Sequence, residues 1–138
     1  MRNNHEMGAL ILRVVLGITF FVHGLAKFQG GIEKTAGFFQ SIGLPGFMAY
    51  GVGIIELVGG IALIIGLGTR IISALFAAIM IGATVKVKLA AGFVGGYELE
   101  LALMVMALHL TLNGSSLLSV DSKLPFMRTT ATATRATN

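Results

Sequence analysis

The sequence predicts an all-α membrane protein: an antiparallel four-helix transmembrane bundle with a short interfacial helix between the first and second spans. Three observations carry this. Of 138 residues, 55% are hydrophobic and only 12% charged, with a mean hydropathy of +0.88, and a domain of this size exposes too much surface to hide that excess from water. The apolar residues gather into four runs, each close to the ~20 helical residues that cross a hydrocarbon core. The connections after the second and third runs are so short that the helices they join must be antiparallel neighbours.

The first run, from about Met7 to Phe28, is too long for a cleaved signal and ends in His23-Gly24-Leu25-Ala26-Lys27 rather than in a small-residue cleavage site. The segment between Gly31 and Pro45 sets Ile32, Phe38, Phe39 and Ile42 among polar residues, the pattern of a helix lying on the membrane surface. The second span follows from about Phe47 to Leu67. Gly66-Leu67-Gly68-Thr69-Arg70 is a tight turn into the third, from Thr69 to Leu89, and a second tight turn, Ala90 to Gly96, leads to the fourth, from Tyr97 to Gly114. Residues 1–126 thus read as one four-helix domain and 127–138, rich in Thr and Ala, as a disordered polar tail.

An even number of spans puts both termini on one side. That side holds Arg2, Arg70, Lys123, Arg128 and Arg135, against Lys27, Lys34, Lys86 and Lys88 at the other, so the positive-inside rule places both termini in the cytoplasm of a bacterial inner-membrane protein. The net charge of +4 is therefore read as topology, since the basic residues form no face for nucleic acid. The chain has no Cys, which excludes thiol exchange, iron–sulfur ligation and thioether haem.

The polar residues converge on the outer end of the bundle. At 1.5 Å per residue, His23 lies ~8 Å and Glu56 ~14 Å below the outer boundary. A charge near the bilayer centre costs about 2.5–3.5 kcal/mol on insertion scales, so such a group turns inward and takes a partner. Helical spacing agrees: Arg13, Gly17, Phe20, His23, Gly24 and Lys27 form one stripe, and Gly53, Glu56 and Gly60 another. Glycines beside ionisable residues mark closely packed faces. Glu98, Ala102, Val105 and His109 align on the fourth span. A pocket built around Glu56 and His23, with Lys27, is the expected reactive site, and Arg13, Phe20, Gly24, Gly60, Lys86, Glu98 and His109 are the expected substrate-binding residues.

Plainer readings stand beside these. Lys27, Lys86, Lys88, Glu98 and Glu100 are near enough to the boundary to serve as interfacial anchors, and Arg13 could snorkel inward. His109 alone suits a helix–helix hydrogen bond. No haem is expected, because His23 and His109 differ in height by ~10 Å. No metal-binding pair of His-x-x-x-His or Glu-x-x-His type occurs, and no glycine motif follows a strand to bind a nucleotide.

Phe21-Val22-His23-Gly24-Leu25-Ala26-Lys27-Phe28, Gly43-Leu44-Pro45, the stretch from Glu56-Leu57-Val58-Gly59-Gly60 to Gly66-Leu67, and Ser119-Val120-Asp121 together resemble the successive signatures of the DoxX family, from about Gly8 to Asp121. The pattern is most similar to the Bacillus-like CatD and MhqP branch. The resemblance implies a four-helix membrane oxidoreductase subunit, linked in relatives to thiosulfate:quinone oxidation and, in that branch, to tolerance of catechols and quinones. The family's His-Gly-x-x-Lys and Glu-x-x-Gly-Gly positions fall on His23, Gly24, Lys27, Glu56, Gly59 and Gly60. One departure is that Asn113-Gly114-Ser115-Ser116 stands where many members have Gly-Pro-Gly.

The expected function is that of a membrane oxidoreductase component whose outer pocket holds a quinone or catechol-like molecule. Lys27, His23 and Glu56 would supply hydrogen-bond donors and a proton-exchanging group. Its partners would be the bilayer, that small molecule and a soluble redox enzyme as electron source; a homo-oligomer stays open. Two rival readings are a proton-coupled exporter of aromatic compounds, for which four unbroken spans leave little room unless the protein dimerises, and a scaffold recruiting soluble enzymes.

Overall fold

The computed structural model describes residues 2–124. Its order is α1 (Arg2–Gln29), α2 (Ile32–Ser41), α3 (Phe47–Ile65), α4 (Thr69–Ala83) and α5 (Glu98–Asn113), with a short 3₁₀ turn at Asp121–Lys123. The four expected spans are present as helices long and apolar enough to cross a membrane. The first begins five residues earlier than its apolar run, because the polar start from Arg2 continues the helix. The expected surface helix is α2, which buries no residue of its own. The tail expected to be disordered, with Arg128 and Arg135, lies outside the described residues.

The bundle is two tight pairs, α1 with α3 and α4 with α5, with α1 also touching α5 and α3 touching α4 sparingly. Glycine makes the first pair tight. A Cβ on Gly60 would lie 2.7 Å from the Gly17 carbonyl oxygen and 2.7 Å from the Phe21 nitrogen, so the two backbones approach as only glycine permits. The pairs meet at a core containing Leu16, Phe20, Leu63, Phe76, Ala107 and Leu110. There the rings of Phe20 and Phe76 stack with centroids 3.8 Å apart and planes 13° from parallel, and Gly59 leaves room for the Phe76 ring.

The end of the bundle where α1 begins, the inner end of the expected topology, is tied together by the chain leaving α5. Gly66, in the left-handed conformation, closes α3 with Leu67 N–H donating to Ala62 O at 2.7 Å and its own N–H to Leu63 O at 3.0 Å, a Schellman turn. The exit segment then packs on that turn: Val120 N–H donates to Ile65 O and Asp121 N–H to Gly66 O, both at 3.0 Å. The Asp121 carboxylate accepts from Gly68 N–H at 2.7 Å and Thr69 N–H at 2.9 Å, which places an anion on the otherwise unsatisfied N-terminus of α4.

The third span departs from a plain helix. After Ala83 the chain widens into a π-helical turn at Thr84–Lys88 and tightens into a 3₁₀ turn at Leu89–Ala91. The stretch Phe93–Tyr97 then breaks at Val94–Gly96 before α5 begins. The expected tight turn over Ala90–Gly96 is thus part of a longer irregular corner, fourteen residues from Thr84 to Tyr97.

Candidate functional site

At the opposite end, the outer end of the expected topology, the two helix pairs diverge around a cavity of about 600 Å³, within the range of small-molecule sites. Its walls come from α1, α3, α4, the π-helical turn and α5, and α2 with the α2–α3 connection reaches it through Phe38, Phe39, Ile42 and Leu44. Most of the lining is apolar. Its ionisable members are His23, Lys27, Glu56, Lys86, Lys88 and Glu100.

The deepest of these is Glu56, on the buried face of α3, with a side chain only 4% exposed. Its Oε2 accepts a hydrogen bond from Lys27 Nζ at 2.7 Å, and the lysine keeps 25% exposure. Gly24 allows this pairing: a Cβ there would lie 3.1 Å from the Glu56 Cβ and 2.8 Å from the Leu57 nitrogen. With α1 drawn that close, the lysine one turn further on reaches the carboxylate. The carboxylate's partner is therefore Lys27 and not the expected His23 imidazole. His23 sits on the same cavity wall, exposed, with no hydrogen bond among the described residues.

Lys86 and Lys88 both line the cavity. Both lie on the π-helical turn Thr84–Lys88, where the span leaves the regular α-helix just before the 3₁₀ turn. Such single π turns recur at functional sites. Lys88 Nζ lies 4.0 Å from Glu100 Oε1, the other oxygen of Glu100 is buried without a hydrogen bond, and Lys86 has no partner among the described residues. Phe20 forms part of the cavity wall, its ring stacked on Phe76.

Of the residues expected at the site, the fold brings together Phe20, His23, Lys27, Glu56 and Lys86. Five others fall elsewhere. Arg13, 1% exposed, lies ~21 Å along α1 from Lys27. Its guanidinium donates to the carbonyls of Ser115, Leu117 and Leu118 and to the Ser115 hydroxyl at 3.0–3.3 Å. It neither snorkels nor meets the cavity, because the exit loop folds under it; that loop includes the departing Asn113–Ser116 stretch. Gly24 and Gly60 are filled by the α1–α3 contact itself. Glu98 is exposed and accepts from Gly95 N–H at 3.1 Å, stabilising the first turn of α5. His109 is exposed near Asn113, in a shallow groove with Asn4 and His5 towards the inner end. Sequence reasoning misses Lys88 and Glu100, which suit surface anchors equally well, and the α2 aromatics, which suit a membrane-surface face. The signal that links Phe38 and Phe39 to the site is the short path from α2 to α3, which folds the amphipathic helix over the cavity. Among the described residues, no cluster of three or more His, Asp or Glu side chains could hold a metal ion.

A family profile named DoxX matches residues 8–89, a stretch that contains His23, Lys27 and Glu56 together. The chain belongs to the DoxX family. Among curated proteins this DoxX chain is 52% identical over 121 residues to "Putative oxidoreductase CatD" of Bacillus subtilis, covering 88% of this chain and 90% of that one. It is 35% identical over 78 residues to "Inner membrane protein YqjF" of Escherichia coli, covering 56% of this chain and 58% of the other. It is also 33% identical over 90 residues to "Uncharacterized membrane protein Rv3486" of Mycobacterium tuberculosis, covering 64% and 55%. No solved structure matches.

Proposed function

We propose that this DoxX protein is a membrane-bound oxidoreductase component that takes a quinone or catechol-like molecule into the outer cavity and contributes to tolerance of such compounds. One observation carries the reading: a 2.7 Å Lys27–Glu56 ion pair, with its carboxylate almost fully buried, forms part of the wall of a largely apolar cavity of about 600 Å³. Intramembrane ion pairs are costly, and they mark substrate or proton paths. The oxidoreductase name of the Bacillus subtilis relative supports it.

A quinone needs hydrogen-bond donors at its carbonyl oxygens and groups that exchange protons as electrons arrive. Lys27 Nζ carries three protons and spends one on Glu56, which leaves donors for the cavity. The His23 imidazole, with no hydrogen bond among the described residues, has both ring nitrogens free to exchange a proton with a bound molecule. Glu56 holds Lys27 in place and remains the local proton acceptor. The apolar walls exclude water and strengthen each of these contacts. With no cysteine in the chain, the electrons come from a soluble redox enzyme or reductant. In this reading the protein sits in the cell membrane with both termini cytoplasmic and the cavity towards the outer leaflet.

The test is quinone binding by purified protein in detergent. Glu56→Gln and His23→Ala should each weaken binding about tenfold, the loss of one good hydrogen bond to a polar group. Undiminished affinity in both variants rejects the site.

A further inference from the structure

In both ion pairs of the cavity the carboxylate is the hidden member. Glu56 and Glu100 keep 4% and 13% side-chain exposure, while their partners Lys27 and Lys88 keep 25% and 42%. Lys86, exposed on the π-helical turn, has no carboxylate partner among the described residues. His23, also exposed, carries charge only when protonated, and that charge is positive. Three lysines thus line the cavity against two largely covered carboxylates, and the charge an occupant meets is cationic. The other charges of the adjoining elements, Glu33 and Lys34 on α2 and Glu98 on α5, are outside the lining.

The excess has a definite place. Lys27 and Glu56, 2.7 Å apart, compensate one another. Lys88 and Glu100, at 4.0 Å, are at the limit of an ion pair, and Lys86, two residues from Lys88 on the same turn, is left unmatched. Most of the surrounding wall is apolar, Phe38, Phe39, Ile55 and Leu103 among it, so this charge is less screened than it would be in water. A neutral ring fills the apolar part and leaves Lys86 uncompensated. An aromatic anion satisfies both.

Resting on the proposed quinone or catechol site, we propose that the cavity selects its aromatic ligand as an anion, a phenolate such as an ionised catechol or hydroxyquinone, and that Lys86 is the residue that sets this preference. Two opposing effects act on a phenol that enters. The apolar walls disfavour its ionised form and raise its pKa; the unmatched ammonium favours that form and lowers it. With Lys86 in the wall the second effect wins. A catechol that has lost a phenolic proton also gives up electrons more readily, so the selected form is the reactive one.

The experiment uses the full chain in phosphatidylcholine nanodiscs with three probes: para-nitrophenol, whose colour reports its ionisation, para-nitroanisole, its methyl ether, which cannot ionise, and benzoquinone. At one pH unit below the free probe's own pKa about a tenth of it is coloured. The expected result is that at least half of the bound nitrophenol is coloured there, a pKa lowered by about one unit, and that one unit above that pKa nitrophenol binds about tenfold more tightly than nitroanisole. Lys86→Gln should abolish the colour shift and Lys86→Arg should keep it, since charge and not shape is what acts. Because burial alone moves the phenol the other way, the sign of the shift decides. A bound probe less coloured than the free one, a shift that survives in Lys86→Gln, or no nitrophenol binding at all overturns the inference; benzoquinone binding that depends on Glu56 and His23 then leaves the proposed site standing. If phosphatidylglycerol in the nanodiscs removes the shift at high salt, where surface charge is screened, the cationic end is a lipid-headgroup site and the inference is overturned also. If neither nitrophenol nor benzoquinone binds, the proposed site falls and the anion preference with it.

Discussion

Glu56 occupies a depth at which an unpaired carboxylate is strongly disfavoured, and Lys27 is what compensates it. Removing one member of such a pair costs more than removing both, because the remaining charge stays desolvated. Lys27→Met is thus expected to destabilise the protein by about 2–4 kcal/mol, somewhat under the figure for a fully buried pair because the lysine keeps part of its hydration. Lys27→Met combined with Glu56→Gln should recover at least half of that. Unfolding of the three variants in mild detergent, followed by circular dichroism, checks the order; additive losses would mean that the pair is not coupled. His23 belongs to the opposite case. Because it makes no hydrogen bond among the described residues, His23→Ala should leave unfolding nearly unchanged while weakening quinone binding, which separates a functional side chain from a structural one.

At the level of elements, the same kind of polar residue does different work at the two ends of the bundle. The inner end is a latch: Arg13 from α1 satisfies three exit-loop carbonyls, one of them on Leu118 in a left-handed conformation at φ 50°. Asp121 from the same loop caps α4. Asp121→Ala should cost about 1–2 kcal/mol, the usual loss for a helix cap with charge assistance, read as a lower melting temperature. Quinone affinity of the folded protein should not move, since the latch is at the far end from the cavity. A loss of binding equal to that of Glu56→Gln would show that the latch shapes the cavity. The outer end is built the other way. Its π-helical turn carries Lys86 and Lys88, both in the cavity lining, and α2 covers the cavity with apolar side chains.

For the whole molecule, the arrangement is a tight inner half and an outer half that opens between two helix pairs. The start of α1 and the exit loop share the side of the latch, and the proposed topology puts that side in the cytoplasm. Because the chain lacks cysteine, single introduced thiols report topology cleanly. Lys34→Cys on α2 should react with a membrane-impermeant maleimide on intact spheroplasts, and Ser116→Cys on the exit loop only after permeabilisation. The reverse pattern would turn the cavity towards the cytoplasm.

The sequence by itself determined the four spans, the surface helix, the family and the depth of Glu56, since these follow from apolar run length, helical period and motif order, all local or additive along the chain. It also marked the glycine-bearing faces of α1 and α3, because a polar or glycine stripe inside lipid gains little from hydrocarbon and much from close contact with another helix. Only the tertiary structure decided which partner Glu56 takes. His23 and Lys27 lie one turn apart on the same helix, and the choice depends on how α1 rotates and how closely Gly24 lets it approach α3, a property of two helices at once. The same holds for Arg13, which the spacing aligned with the site and the exit loop claimed from more than a hundred residues away. The cavity between the two helix pairs was likewise hidden, because helices adjacent in sequence are joined at one end only, and how far they diverge at the other is set by the α1–α3 and α4–α5 contacts.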